Sequence, residues 1–501
     1  MRRLVLLSSF AIAFAACSNN SGTTGGFGGA VSATGSTSSS TSTTTTTATI
    51  SSSTTGSSTG GGGMGDGGPS DASSDAPIDT DASILDPCSL PGSVQFTPQG
   101  TVVVPGGVQG DPSLSYLHLP VGFCAHYYGT VGNARQLRFA PGGELFVASP
   151  VTATTSGGQN GQAAIVVLPD DNHDGRADAN LTFMGSLPAT QGLLFTPGYF
   201  YYQTGRPCTQ ATVSTDCVTS GICSSGVCED GTLIMRVPYA VGDRMPSGAS
   251  EQMADISYNA DTLHWARSMD MADDGSIYVA NGGSQIDPCI TPHPFKGGIR
   301  KIDGTANGAP IAQGFRNPIA VRCLPGHNTC FALELALDYS AGGGGREKLV
   351  PIRQGDDWGF PCCATQGVPY QGSPAGTNCA AVTPESVSWL IGDTPFGIAF
   401  APSTWPGMWS GSAIVATHGS AGLWTGARVV AIAMDPTTGL PKPGTDMLNG
   451  DQGSMTDFAT GWDDGMNDHG RPTAVDFSSD GRLFLANDTT GVIFWVAPLG
   501  T

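Results

Sequence analysis

His264 is the side chain best suited to move a proton. It stands just ahead of an apolar segment, and an imidazole with a pKa near about 6.5 is unprotonated yet still basic at neutral pH. A lone histidine is more often structural or merely exposed, so other polar residues must share its task. Arg316 and Asn317, within Gly314-Phe315-Arg316-Asn317-Pro318, offer a planar guanidinium that stacks on a flat ligand and donates to carbonyl or carboxylate oxygens, with an amide beside it. Gln191 and Arg471 open two other apolar stretches, and His418 and His469 lie in glycine-rich loops that are candidates for the same mouth.

Two groups of carboxylates suit a hard cation. Asp170, Asn172, Asp174 and Asp178 occupy positions one, three, five and nine of a calcium-loop pattern, with Gly175 at position six, but Leu181 stands where a bidentate glutamate belongs. The segment reads either as a calcium loop with a structural role or as a plain acidic turn. Glu334, Asp338 and Glu347 flank a run of four glycines ahead of Gln354-Gly-Asp-Asp-Trp-Gly-Phe-Pro361 and offer a second oxygen-rich site.

These residues must be positioned by a repeated unit. Asp261 to Gly283 reads as an apolar strand, an Asp274-Gly275 turn and a second apolar strand ending in small residues. The pattern recurs at Arg135 to Ser149, Gln191 to Gly205, Asn317 to Leu333, Pro395 to Ser420 and Arg471 to Gly491. Six copies at uneven spacing do not suit a solenoid. They predict an all-β, six-bladed propeller whose blades carry long, variable loops. The text from Leu117 to Ser149 reads as the first blade. Trp405, Trp409, Trp424, Trp462 and Trp495 are expected between blades or anchoring loops, and Arg300 and Lys301 on alternating faces of one strand.

Lys and Arg total 21 against 41 Asp and Glu, a formal charge of -20. A chain so acidic is repelled by phosphate backbones, which excludes nucleic acid as a partner. The N-terminus has two arginines, an apolar run and Phe14-Ala15-Ala16-Cys17, the layout of an export signal. Cleavage is expected either before Cys17, which then becomes the lipidated first residue of an outer-membrane lipoprotein, or at Ala13 or Ala16 as an ordinary signal. Residues 18–87 are a Ser/Thr/Gly-rich linker that cannot bury enough apolar surface to fold, and 88–501 form the propeller.

Setting Cys17 aside leaves 12 of the 13 cysteines, an even number in an oxidising compartment, so up to six disulfides are expected. Cys208, Cys217, Cys223 and Cys228 fall in an insertion at 206–230 whose spacings favour a disulfide-stapled loop over a metal site. Cys362 and Cys363 either close a vicinal ring or pair with two different partners.

Together these pieces resemble the glucose/sorbosone dehydrogenase family, soluble six-bladed propellers that use pyrroloquinoline quinone (PQQ). The matches are Gln191-Gly192-Leu193-Leu194, His264 ahead of Asp274-Gly275, Gly314 to Pro318, and Trp358-Gly359-Phe360-Pro361. The resemblance implies that His264 takes the proton of a sugar hydroxyl and that Arg316 polarises a quinone carbonyl. Gln191, Asn317 and Arg471 would hold the cofactor, and Glu334 and Glu347 would stand near an anchoring calcium. The chain departs from the family at Leu263, where an aspartate is usual, at His418, where the blade has a lysine, and near His469, where a second arginine stands. The expected function is an exported dehydrogenase of an aldose, aldehyde or sorbosone-like substrate. The alternative is a non-catalytic exported propeller that binds or scaffolds.

Overall fold

Alternation of apolar residues over four to eight positions makes a strand with one buried face, and a glycine free to take positive φ reverses it. Gly275 does so at φ 82° between Met269–Met271 and Ile277–Asn281. The computed structural model describes residues 86–500 apart from 152–159, 218–222, 225, 258–267, 283–288, 290–296, 337–345, 391, 421–424, 445–451 and 466–468. The segment expected to be an export signal with Cys17, the linker to residue 85, His264, Asp338 and Trp424 lie outside the described residues.

All six repeated segments form antiparallel hairpins, and each hairpin is the inner half of one blade of a six-bladed propeller. Blade 1 comprises Gln136–Phe139, Leu145–Ser149, Ala164–Leu168 and Leu181–Met184; blade 2 comprises Leu193–Thr196, Tyr199–Pro207, Val227–Pro238 and Glu251–Ser257. Blade 3 runs through Met269–Met271, Ile277–Asn281, Gly298–Lys301 and Ala309–Ala312, and blade 4 through Asn317–Leu324, Thr329–Leu335, Arg346–Pro351 and Val387–Leu390. Blade 5 contains Pro395–Phe400, Ala413–Thr417, Arg428–Ile432 and Met455–Ala459. The first strand of each blade packs against the first strand of the next around a closed ring.

Blade 6 differs from expectation. Its inner strands Pro472–Phe477, Leu483–Asn487 and Val492–Pro498 are completed by Phe123–Thr130 from the start of the domain, followed outward by Val94–Thr97 and Gly100–Val103. The first blade therefore begins at Gln136, and the segment from Leu117 that reads as its opening closes the last blade instead. The strand's partner lies at the far end of the chain, where no local pattern could point.

Apolar side chains fill the wedges between blades. Trp405 and Trp462 pack with Phe123, Phe458 and Phe494 between blades 5 and 6, and Trp495 seals blade 6 to blade 1, its indole N–H donating to the Gly175 carbonyl at 2.8 Å. These tryptophans are inter-blade packing, as expected. Arg300 and Lys301 are successive residues of the strand Gly298–Lys301, and Arg300 is the buried one, donating to the carbonyls of Asn307 and Gly308.

Six disulfides use twelve cysteines: 88–124, 208–223, 217–228, 289–362, 323–330 and 363–379. The insertion at 206–230 is doubly stapled, and Cys362 and Cys363 pair with different partners. Cys88–Cys124 pins the N-terminal end of the domain to the closing strand. Its 36-residue separation gives an expected loss of about 3–4 kcal/mol in the Cys88→Ser/Cys124→Ser variant, read as a lowered urea midpoint. An unchanged midpoint would mean that strand pairing alone holds the ring shut.

Candidate functional site

Strand polarity gathers the polar candidates at one end of the propeller. The innermost strands all start at the same face, and the second strand of each blade returns to it. Arg135, Arg316 and Arg471 each stand directly before the first residue of an innermost strand, in blades 1, 4 and 6. Gln191 sits at the same end of blade 2, while His418 and Asp488 directly follow the second strands of blades 5 and 6. Arg135 and Gln191 line the central channel, which has a cavity volume of only about 30 Å3. That is room for a few waters, so a larger ligand must sit over the mouth rather than within the channel.

Asp488 is the hub of one half of the mouth. Fully buried, it lies 2.9 Å from His418 Nε2 and 3.3 Å from Arg135 Nη1. Arg135 also donates from Nε to Asn133 Oδ1 at 3.0 Å and lies over the Phe396 ring at 5.1 Å. The other neighbour of Phe396 is the His418 ring, with centroids 4.4 Å apart. Arg471 donates from Nε to the His418 carbonyl at 2.8 Å and from Nη2 to the Gly419 carbonyl. Blades 1, 5 and 6 are thus joined by two guanidiniums, one imidazole and one carboxylate.

The electrostatics follow from burial. Burial, reinforced by the Arg471 charge, lowers the His418 pKa to about 3 despite Asp488, so the ring is neutral at physiological pH. Burial also lowers Arg471 to about 10 and depresses Arg135. Burial alone would raise the Asp488 carboxyl, but the His418 hydrogen bond and the Arg135 charge hold it below its ordinary value.

The blade 4 half is built around Glu334. Its Oε1 accepts the Arg316 backbone N–H at 3.1 Å, and its Oε2 lies 3.4 Å from Lys348 Nζ. Arg316 Nη1 donates to the Ala336 carbonyl at 2.6 Å, and Lys348 Nζ to that of Trp358 at 3.3 Å. Burial raises the Glu334 carboxyl, with Lys348 opposing. The Oδ1 of Asn317 is buried without a hydrogen-bond partner.

The structure does not bring every candidate together. Glu334 and Lys348 are directly paired across strands, so Glu347, one residue along, points to the opposite face of the blade. There its carboxylate accepts the backbone N–H groups of Gly392 and Thr394; Glu334 and Glu347 do not converge on one ion. His469 stacks on Tyr116, with centroids 3.9 Å apart, and its Nε2 lies 3.1 Å from Asp464. The Asp170 to Asp178 loop follows the third strand of blade 1 and so occupies the face opposite the mouth. Asn172 Oδ1 accepts the Asp174 N–H at 2.9 Å, and Asp178 accepts that of Asp171 at 2.6 Å. Among the described residues the only three clustered metal-type ligands are Cys208, Cys217 and Cys228, and all three are in disulfides.

Arg135, Phe396 and Asp488 belong to the mouth but were missed from sequence. A signal for Arg135 was available: Arg135-Gln136-Leu137 and Arg471-Pro472-Thr473 hold the same place in the repeat. Asp488 gives no such sign, since an aspartate after a strand usually makes a turn.

No protein-family model and no curated protein sequence matches the chain. Solved structures do. The iodide structure of a Trichoderma reesei enzyme of carbohydrate-active family AA12 is 18% identical, with a TM-score of 0.59 over 78% of this chain and 100% of that one. A calcium structure from the same fungal family gives 17% and 0.58 over 78% and 99%. The holo form of the PQQ domain of a Coprinopsis cinerea pyranose dehydrogenase gives 15% and 0.58 over 77% and 98%. At these identities the likeness establishes a shared propeller fold.

The His418 environment predicts a pH dependence. The unfolded imidazole takes up a proton below its ordinary value of 6.5, whereas the folded one does so only near 3. Stability is therefore fully present above about pH 6.5 and falls as pH drops through that window, by up to about 1.4 kcal/mol per pH unit. Denaturation midpoints measured from pH 7 to 4.5 should fall less steeply for His418→Gln than for the wild type.

Proposed function

We propose that the chain is an exported quinoprotein-type dehydrogenase that passes hydride from an aldose, aldehyde or sorbosone-like substrate to PQQ. The observation that carries this reading is the polar set at the mouth, where arginines from three blades and Gln191 supply donors above a water-sized channel and the unpaired Asn317 Oδ1 supplies an acceptor. Such a set suits a flat ligand bearing carboxylates and carbonyls. The shared fold with a pyranose dehydrogenase PQQ domain supports it.

A bound quinone supplies the hydride acceptor. His264 accepts the proton of the substrate hydroxyl as the adjacent C–H is cleaved. Arg316 donates to a ligand carbonyl oxygen as negative charge grows there. Gln191 and Asn317 orient the ring, and Arg471 faces a carboxylate. Glu334 and Glu347, on opposite faces of one sheet, do not fit a shared calcium. The loop carrying Asp170, Asn172, Asp174 and Asp178 remains a proposed structural calcium site, remote from the mouth. Six disulfides support an oxidising compartment, and the N-terminal text supports Cys17 as the lipid attachment of an outer-membrane protein. One observation favours the alternative of a non-catalytic binding propeller: His418 is held neutral where the resembled family carries a lysine.

The test is titration of the purified protein with PQQ and calcium, followed by absorbance and by dye reduction with a panel of aldoses and sorbosone. Saturable binding and turnover, lost in His264→Ala, is the expected outcome. No binding at tens of micromolar quinone would leave the binding-module reading.

A further inference from the structure

The outer edge of a sheet presents a row of backbone N–H and C=O groups, and folded chains guard such edges with bulges, prolines, charges or a covering segment. Five of the six blades do so. The outermost pairing carries a register shift in blade 1 between Ile165 and Val166, in blade 2 between Ile234 and Met235, in blade 3 between Ile299 and Arg300, and in blade 5 between Val429 and Val430. In blade 4 the outermost strand is covered by Gln452, which exchanges two backbone hydrogen bonds with Ser388. Blade 6 has none of these devices on its outermost strand. Gly100–Val103 pairs with Val94–Thr97 without a shift, is exposed along its whole length, and holds no proline or charge. Its outer edge meets no other strand among the described residues. Val102 and Val103 are 48% and 57% exposed, and Val121, 61% exposed, precedes Gly122, whose N–H donates to the Phe96 carbonyl beside this strand.

We propose that Gly100–Val103 is a dimerisation edge, which pairs antiparallel with the same strand of a second copy about a two-fold axis. A strand paired with itself is self-complementary, as a closed two-fold contact requires. Adding a strand to an open edge satisfies its main-chain groups while the valines cover one another. Charge selects the same place. Two chains of formal charge -20 repel, but between Pro87 and Ala134 the only Asp, Glu, Lys or Arg is Asp111, which Arg176 neutralises. The chain's own linker suits the edge less well: Ser70 to Asp86, the stretch that leads into the domain, carries five aspartates and a proline, residue types that disfavour a strand. The contact is small, so the dimer is a weak one that dissociates on dilution.

The test is sedimentation equilibrium of the full mature chain over a range of concentrations, with Cys17→Ser so that no lipid drives association, together with hydrogen exchange at the Gly100–Val103 amides. The molecule is expected to pass from monomer to dimer as concentration rises, with protection of these amides rising in step. Val102→Lys brings like charges together near the axis and should weaken the dimer by at least about tenfold. Val102→Thr, β-branched and uncharged, should retain it. Val102 is half exposed, so both variants fold, which an unchanged far-UV circular dichroism spectrum checks. A monomer at every concentration would overturn the proposal, whether the edge amides exchange freely or are protected regardless of concentration by the linker. So would a dimer that Val102→Lys leaves intact.

Discussion

A ring of six innermost strands can line a mouth only if it is closed, and closure here is a single strand pairing. Phe123–Thr130 lies antiparallel to Val492–Pro498, from Phe123 opposite Pro498 to Thr130 opposite Val492, with the register shifting once between Ile493 and Phe494. Bringing the two ends of the domain together costs loop entropy, but that cost grows only slowly with length. It is offset where the strands meet by burial of Phe123, Phe494, Trp495 and Val496. The Cys88–Cys124 bridge adds a covalent restraint on the same strand. Arg135 of blade 1 reaches Asp488 of blade 6 only because blade 6 is shut against blade 1.

Closure sets neighbours, and a second set of interactions sets their register. Toward the far end of the channel Arg138, Asp270, Arg322 and Asp476 form a belt across blades 1, 3, 4 and 6. Arg138 lies 3.5 Å from Asp270, while Arg322 lies 3.7 Å from Asp270 and pairs with Asp476. The carboxylates also accept backbone N–H groups, Asp270 from Cys323 at 2.9 Å and Asp476 from Phe139 at 3.0 Å. Buried pairs of this kind add little net stability, because desolvation cancels much of the attraction, but breaking one strands a charge. A blade that slipped along its neighbour would do just that, so the belt favours a single alignment.

The local half of the architecture was legible in the sequence, and the long-range half was not. Period-two alternation and turn glycines such as Gly275 and Gly326, at φ 82° and 79°, identify all six inner hairpins, because those signals are carried within some fifteen residues. The closing strand carries the same alternation and was read as part of blade 1, since its partner lies in Val492–Pro498. Residue types at the mouth were partly visible for a related reason. Arg316 and Arg471 stand out at blade openings, whereas Asp488 becomes a mouth residue only when blade 1 delivers Arg135 to it. Glu334 and Glu347 look like a pair in the text, yet strand pairing sends them to opposite faces.

The two ends of the channel therefore differ in kind. In the belt, arginines and carboxylates from four blades answer one another, and none of their atoms is left buried without a partner; such a network is complete in the folded chain. The mouth is assembled from the same residue types, but it leaves Asn317 Oδ1 buried and unpaired, and Arg135 Nη2 without an acceptor among the described residues. An unmet polar group costs about 1–3 kcal/mol in a fold with little stability to spare. Where three blades present arginines, the innermost strands therefore keep an unmet acceptor that the belt at the other end of the channel lacks.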